Sequence, residues 1–244
     1  MVFNLNLRYI LSLGWYYGFS SIARGPSYVV ASLSLPLTML FLIYMLSRGA
    51  LLPYAVIGGF ISMISTNAIS SAGDAAFFRL ELKIQDLFVA TPISSTDYMM
   101  GIMLSYLVFS LPGLLVYALL GYIYKIFDLI SSIAMLFSIL CLIVATTSLS
   151  FIIAGFLSHI RNVWGITSII SIVLTIIPPI FYPYSYLPKY AIYLLSISPA
   201  TPASVLMQGV IGLQPLQLPM VGILLFETIF YFLLAKRFMR WRDE

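Results

Sequence analysis

Charge is what this chain most lacks. Only 8% of its 244 residues are Asp, Glu, Lys or Arg, against roughly 25% in a soluble globular domain. So few charges cannot clothe a surface that faces water on every side. There is one cysteine, Cys141, and one histidine, His159. An intramolecular disulfide is therefore impossible, and neither a Cys/His metal cluster nor a histidine-based triad can be assembled. None of the fifteen glycines is followed by lysine, so the phosphate-cradling Gly-x-x-x-x-Gly-Lys loop cannot form. The remaining carboxylates are too scattered to make an acid–base pair. These absences point away from catalysis, from a metal site and from a cofactor held by this chain. The net charge of +4 is small and sorted by side, which speaks to orientation and not to nucleic acid.

What is abundant is apolar surface: 61% of residues are hydrophobic and the mean hydropathy is +1.05. At about 20 residues per crossing there is room for roughly six helices with their connectors. The composition predicts an all-α membrane protein in one domain, residues 1–244. The expected spans are Ser27–Leu46, Tyr54–Ala72, Tyr98–Tyr122, Leu129–Leu157, Val163–Phe181 and Pro219–Ala235. Residues 3–24 read as an amphipathic helix lying in the interface, with Phe3, Leu7, Ile10, Leu11, Gly14 and Gly18 on one face. Asn4, Arg8 and Ser12 lie on another, and Trp15, Tyr16 and Tyr17 stand at headgroup level; a disordered amino terminus is the alternative. No removable signal peptide is expected. Between Pro178 and Pro219 lie eight of the thirteen prolines. There Leu187–Ser196 and Thr201–Gly212 are apolar enough for lipid but too short to cross it, as re-entrant half-helices or as a long outer loop.

Within this apolar chain one stretch is charged and enclosed by spans: Arg79 to Gly101, RLELKIQDLFVATPISSTDYMMG. Leu80, Ile84, Leu87 and Phe88 recur at helical spacing, predicting an amphipathic helix over 79–89 whose polar side carries Glu81, Lys83 and Asp86. Pro92 bars Thr91 from helical geometry. Ser94 or Ser95 can cap the next helix, with Asp97 in its first turn. The run Asp86-Leu-Phe-Val-Ala-Thr91-Pro92-Ile-Ser94-Ser-Thr-Asp97-Tyr-Met-Met-Gly101 resembles the cytoplasmic signature of type-2 ATP-binding-cassette (ABC) exporter permeases. Asp86 and Asp97 stand where that family more often has Glu. The resemblance implies an amphipathic helix before the first span and re-entrant helices before the last. It also implies that Arg79, Glu81, Asp86, Thr91, Pro92, Ser94, Asp97 and Gly101 couple the permease to a separate cytoplasmic ABC ATPase, where ATP and Mg²⁺ would be bound. A second permease copy, identical or not, would complete the path for an outward-moving amphipathic or hydrophobic substrate such as a drug, peptide or lipid-like molecule.

Two further features concern passage. Gly58, Ser62, Ser65, Thr66, Asn67 and Ser70 give the second span a polar stripe. It serves either interhelical packing or the lining of a path, for which Ser62, Thr66 and Asn67 are the candidates. Glu227 is the one acid read as lying well inside a span, about 13 Å along the helix from Lys236. Its role is either structural or in passage. An ion-gradient-driven secondary transporter using Glu227 and a non-transporting membrane assembly subunit are the other functional readings. With both ends cytoplasmic, nine basic residues fall inside and only Arg48, Lys125 and Lys189 outside. That bias predicts a multi-pass protein of the cell membrane, contacting lipid, with the basic tail 236–244 and the 79–97 connector in the cytoplasm.

Overall fold

The computed structural model describes residues 5–239 and 241 of the chain. Phe3 and Asn4 of the expected first helix, and Arg240 and Arg242 of the basic tail, lie outside the described residues. No strand occurs among the described residues. The helices are α1 (Leu7–Arg24), α2 (Pro26–Ser47), α3 (Leu52–Leu80), α4 (Ile84–Val89), α5 (Ser95–Ile123), α6 (Leu129–Phe156), α7 (Ile160–Ile176), α8 (Lys189–Leu195), α9 (Ala200–Val210) and α10 (Pro219–Phe238), with a 3₁₀ turn at Tyr184–Tyr186.

Five of these, α2, α3, α5, α6 and α10, are long and apolar enough to cross a membrane. The expected fifth span is α7, which at 17 residues is shorter. Pro178 and Pro179 follow it, and neither has an amide hydrogen with which to continue the helical ladder. The expected second span ends at Ala72, yet α3 continues to Leu80. Asp74 and Arg79 are carried within that helix because Ala75, Ala76, Phe77 and Phe78 extend its apolar character past the charge. In the proline-rich segment two short helices form, α8 and α9, close to the two apolar stretches read from the sequence.

Helix α3 is the axis of the bundle, packed by α2, α5, α6, α7 and α9, and most of its residues are buried. Such centrality demands small residues, since helices associate in lipid by close van der Waals approach and not by a hydrophobic drive. Gly59 receives the ring of Tyr117, and Gly73 receives the indole of Trp164, whose Cη2 lies 2.5 Å from where a Cβ would stand. A larger residue at either position displaces an aromatic ring of a neighbouring helix. By contrast α2 buries only Pro36 and presents Tyr28, Val30, Phe41 and Leu46 outward. Helix α10 packs chiefly on α6 and α9.

The substitution Gly59→Leu forces Tyr117 off its seat. It should lower stability by about 1–3 kcal/mol, the usual cost of overpacking. The readout is the thermal unfolding midpoint of the detergent-solubilised protein. Adding Tyr117→Ala to Gly59→Leu should restore part of the loss, and no loss in the single variant would contradict this packing.

Candidate functional site

The connector between α3 and α5 is built by a break and not by a continuous helix. The amides of Glu81 and Leu82 both donate to Phe77 O at 3.0 Å, and Lys83 then adopts a left-handed backbone with φ 51°, a strained conformation for a residue with a Cβ. The helix read over 79–89 is therefore corrected to α4, Ile84–Val89. Arg79 and Leu80 belong to α3, and Glu81 to Lys83 form the turn. After α4 the chain turns at Ala90–Pro92, where the Thr91 hydroxyl donates to Phe88 O at 2.7 Å. Of the two serines offered as caps, Ser94 takes the role. Its hydroxyl accepts from the Asp97 amide at 3.1 Å while Asp97 Oδ2 accepts from the Ser94 amide at 2.9 Å, a reciprocal capping box.

Asp97 does more than cap. The residue is only 1% exposed, and its Oδ1 accepts from the backbone amide of Asn6 at 2.9 Å. One buried acid thus joins the entry of α1 to the start of α5. Arg79 works in the same manner at the other side of the connector. Its Nη2 donates to Ala154 O at 2.6 Å and to Leu157 O at 2.8 Å, answering carbonyls that the end of α6 leaves without helical partners.

Beneath α4 lies a set of rings. Phe88 meets Tyr9 of α1 at 5.5 Å and Tyr98 of α5 at 5.8 Å between ring centroids. Tyr98 in turn meets Phe151 of α6 at 5.7 Å and Trp241 at 5.3 Å. Tyr98 of α5 thus meets α4, α6 and the chain's last described residue, and Phe88 adds α1 to the same set of rings. The outward side of the connector is different. Glu81, Leu82, Lys83, Asp86, Thr91 and Pro92 are exposed, and Leu87, expected on the apolar inner face, is 67% exposed. Gln85 instead turns inward, its Nε2 donating to Trp241 O at 3.4 Å. The six-residue helix offers less than two turns, so Phe88 and Gln85 fix its inner side and Leu87 has no place there.

One residue of this region was missed in the sequence. Asp74, on α3, accepts from Tyr17 Oη of α1 at 2.7 Å and from Tyr106 Oη of α5. Burial, and then the neighbouring Asp74 carboxylate, push the Tyr17 phenol well above its ordinary pKa, so the ring stays a neutral donor. The signal was available: Asp74 is an acid set between Gly73 and the apolar run Ala75–Phe78. Helix α1 is further fastened by Ser105 Oγ, which donates to Leu13 O at 3.2 Å, and by Gly101. A Cβ on Gly101 would stand 2.7 Å from Leu13 Cδ2. Ile10, Gly14 and Gly18 face α5, leaving Leu11, Trp15 and Phe19 exposed.

The residues considered for passage do not form one site. Ser62 Oγ donates to Gly59 O at 3.3 Å within α3, and Asn67 Nδ2 donates to Ser110 Oγ of α5 at 2.9 Å. Thr66 Oγ1 and Glu227 Oε2 are buried without a hydrogen-bond partner. Because α10 packs chiefly on α6 and α9, Glu227 is not gathered with the stripe on α3. No cluster of three or more His, Cys, Asp or Glu that could hold a metal occurs among the described residues.

Residues 11–212 match the family model described as ABC-2 type transporter, a span that takes in most of α1, the connector and both short helices. No curated protein matches the chain.

Asp97→Ala leaves two amides without their acceptor. It should cost about 1–3 kcal/mol, whereas Asp86→Ala, at an exposed position, should stay within about 0.5 kcal/mol of the parent. Thermal unfolding of the two variants side by side checks this, and equal destabilisation would contradict the assignment of Asp97 as a buried fastening.

Proposed function

Because the chain belongs to the ABC-2 type transporter family, we propose that it is the permease subunit of an ABC exporter, driven by ATP hydrolysis in a separate cytoplasmic ATPase. The observation that carries this reading is the two-sided connector. A polar, exposed outer surface rests on rings that belong to four helices and Trp241. A force applied to that surface reaches the spans through packed side chains. In this reading Glu81, Asp86, Thr91 and Pro92, together with Leu82, Lys83 and Leu87, meet the ATPase. Arg79, Ser94, Asp97 and Gly101 hold the connector to α6 and α1 and so pass the motion on.

The chain is a multi-pass membrane protein, and α7 would serve as a sixth crossing, with its ends reaching the interface through Trp164 and Tyr182. The amphipathic α1 would lie along the cytoplasmic interface with Leu11, Trp15 and Phe19 toward lipid. Trp15 and Phe19 stack at 5.0 Å, a pair suited to headgroup depth. Helices α8 and α9 would be the re-entrant elements. Both termini would be cytoplasmic in the cell membrane by the positive-inside bias. Two copies, identical or not, would frame a path for an outward-moving amphipathic or hydrophobic substrate. Nucleotide and Mg²⁺ would belong to the partner ATPase. Asn67, Ser62 and Thr66 would tune packing along the path, and Glu227 would act from α10.

Affinity purification of the intact chain should bring down a Walker-type ATPase in stoichiometric amount. Leu87→Glu combined with Asp86→Lys, both at exposed positions, should reduce that association by about tenfold or more while the protein stays inserted and folded. Full retention of the ATPase by this variant, or transport of cargo with no nucleotide-hydrolysing companion, would overturn the reading.

A further inference from the structure

The end of the bundle opposite the connector holds a cavity of about 360 Å³ between the Tyr184–Tyr186 turn, α8 and the segment 214–220. Its place is fixed by α3. Tyr54, in the first turn of that helix, donates to Leu213 O at 3.3 Å and accepts from Gln214 Nε2 at 3.0 Å. The helix, 29 residues in all, then runs to the connector about 39 Å away along its axis.

The walls are held from behind. Gln208, fully buried, donates through Nε2 to Pro179 O at 2.7 Å and to Tyr182 O at 3.1 Å, and its Oε1 accepts from the Tyr184 amide at 3.0 Å. Tyr184 then reaches across with its hydroxyl to donate to Pro215 O. The cavity is thus formed without help from an occupant, which lowers the ordering cost of binding. Its lining joins Lys189, Ser185 and Gln217 to an apolar floor of Ile192 and Met220. Ser185 and Lys189 are exposed and Gln217 half-buried, so their polar ends are open to an occupant, whereas the buried Gln208 has its amide engaged by protein.

Charge at this end is one-sided. The loops here carry Arg48, Lys125 and Lys189, and the one acid among them, Asp128, is tied up capping α6 with Ser131. Those same hydrogen bonds hold the Asp128 carboxyl below its ordinary range. Tyr193 lines the cavity, and Tyr186 and Tyr190, chain neighbours of the lining residues Ser185 and Lys189, are exposed with it, Tyr190 by 76%, the aromatic signature of headgroup depth. Leu194 and Ile197 continue the exposed surface in apolar form.

We propose that this cavity binds the acidic headgroup of a membrane phospholipid, with Lys189 as counter-ion, Ser185 and Gln217 as hydrogen-bond donors, and Ile192 and Met220 against the first carbons of the chains. A preformed pocket with one cation, open donors and an apolar floor, ringed by interface tyrosines, matches an anionic amphiphile. A zwitterionic headgroup would set its own ammonium against Lys189. The site stands on this geometry alone and would exist whether or not the chain exports anything.

The test is equilibrium binding to the full-length protein in neutral detergent, read by native mass spectrometry and by the shift in melting temperature. The probes are short-chain phosphatidylglycerol, phosphatidylcholine and inorganic phosphate. The expected result is phosphatidylglycerol bound at least about tenfold more tightly than phosphatidylcholine, the scale of one charge-assisted hydrogen bond. Lys189→Gln should abolish that preference, Lys189→Arg should keep most of it, and Lys125→Gln, a cation at the same end outside the cavity, should leave it unchanged. Equal binding of the two lipids, or a Lys189→Gln protein that melts normally and still prefers phosphatidylglycerol, would overturn the proposal. Inorganic phosphate bound as tightly as phosphatidylglycerol would overturn its lipid part.

Discussion

A carboxylate buried under a membrane bundle must be answered by protein donors, and the arrangement around Asp97 meets that demand. Its oxygens take the amide of Asn6, the amide of Ser94 and the Ser94 hydroxyl, so two segments 91 residues apart become one mechanical piece. A charge withdrawn from water is tolerable only with such partners. The charge that makes the connector stand out in the sequence is, at this position, turned inward. Water and any soluble partner meet Asp86 and Leu87 instead.

The same logic recurs at each helix end that abuts the connector. Arg79 supplies donors to the last carbonyls of α6, and the two tyrosines on Asp74 join α1 and α5 to α3. Polar pairing of this sort serves where lipid offers no alternative partner, and it ties α1 to the bundle even though much of that helix's apolar surface faces outward. A segment that looks peripheral by sequence is fastened at its start through Asn6, at its middle through Leu13 and toward its end through Tyr17. At the far end Gln208 does for the proline-rich segment what Asp97 does for the connector. A single buried side chain holds several irregular backbone groups that would otherwise be stranded.

The helices themselves were legible because lipid imposes a simple rule: an apolar run near 20 residues becomes a helix that satisfies its own backbone. A serine cap at Ser94 or Ser95 and the stop at Thr91-Pro92 were legible for the same reason, being local. The break at Glu81–Lys83 was not. Helical spacing of Leu80, Ile84, Leu87 and Phe88 argued for continuity, and only the seating of Phe88 and Gln85 against α1, α5 and Trp241 made the left-handed turn at Lys83 worth its strain. Asp74 escaped notice because an acid two residues beyond an assumed span end reads as a solvated boundary when the helix is not known to continue.

By itself, then, the sequence determined that the chain is an all-helical membrane protein, about where its long apolar helices begin, and that its one enclosed charged stretch lies between the second and third of them. Composition and periodicity act residue by residue and need no knowledge of neighbours. Which charges face outward, that α3 is the axis with Gly59 and Gly73 receiving rings, and that Asp74, Tyr17 and Tyr106 meet were decided only by the tertiary structure. Those outcomes depend on residues dozens of positions apart arriving at one place, and no local rule of helix or turn formation carries that information.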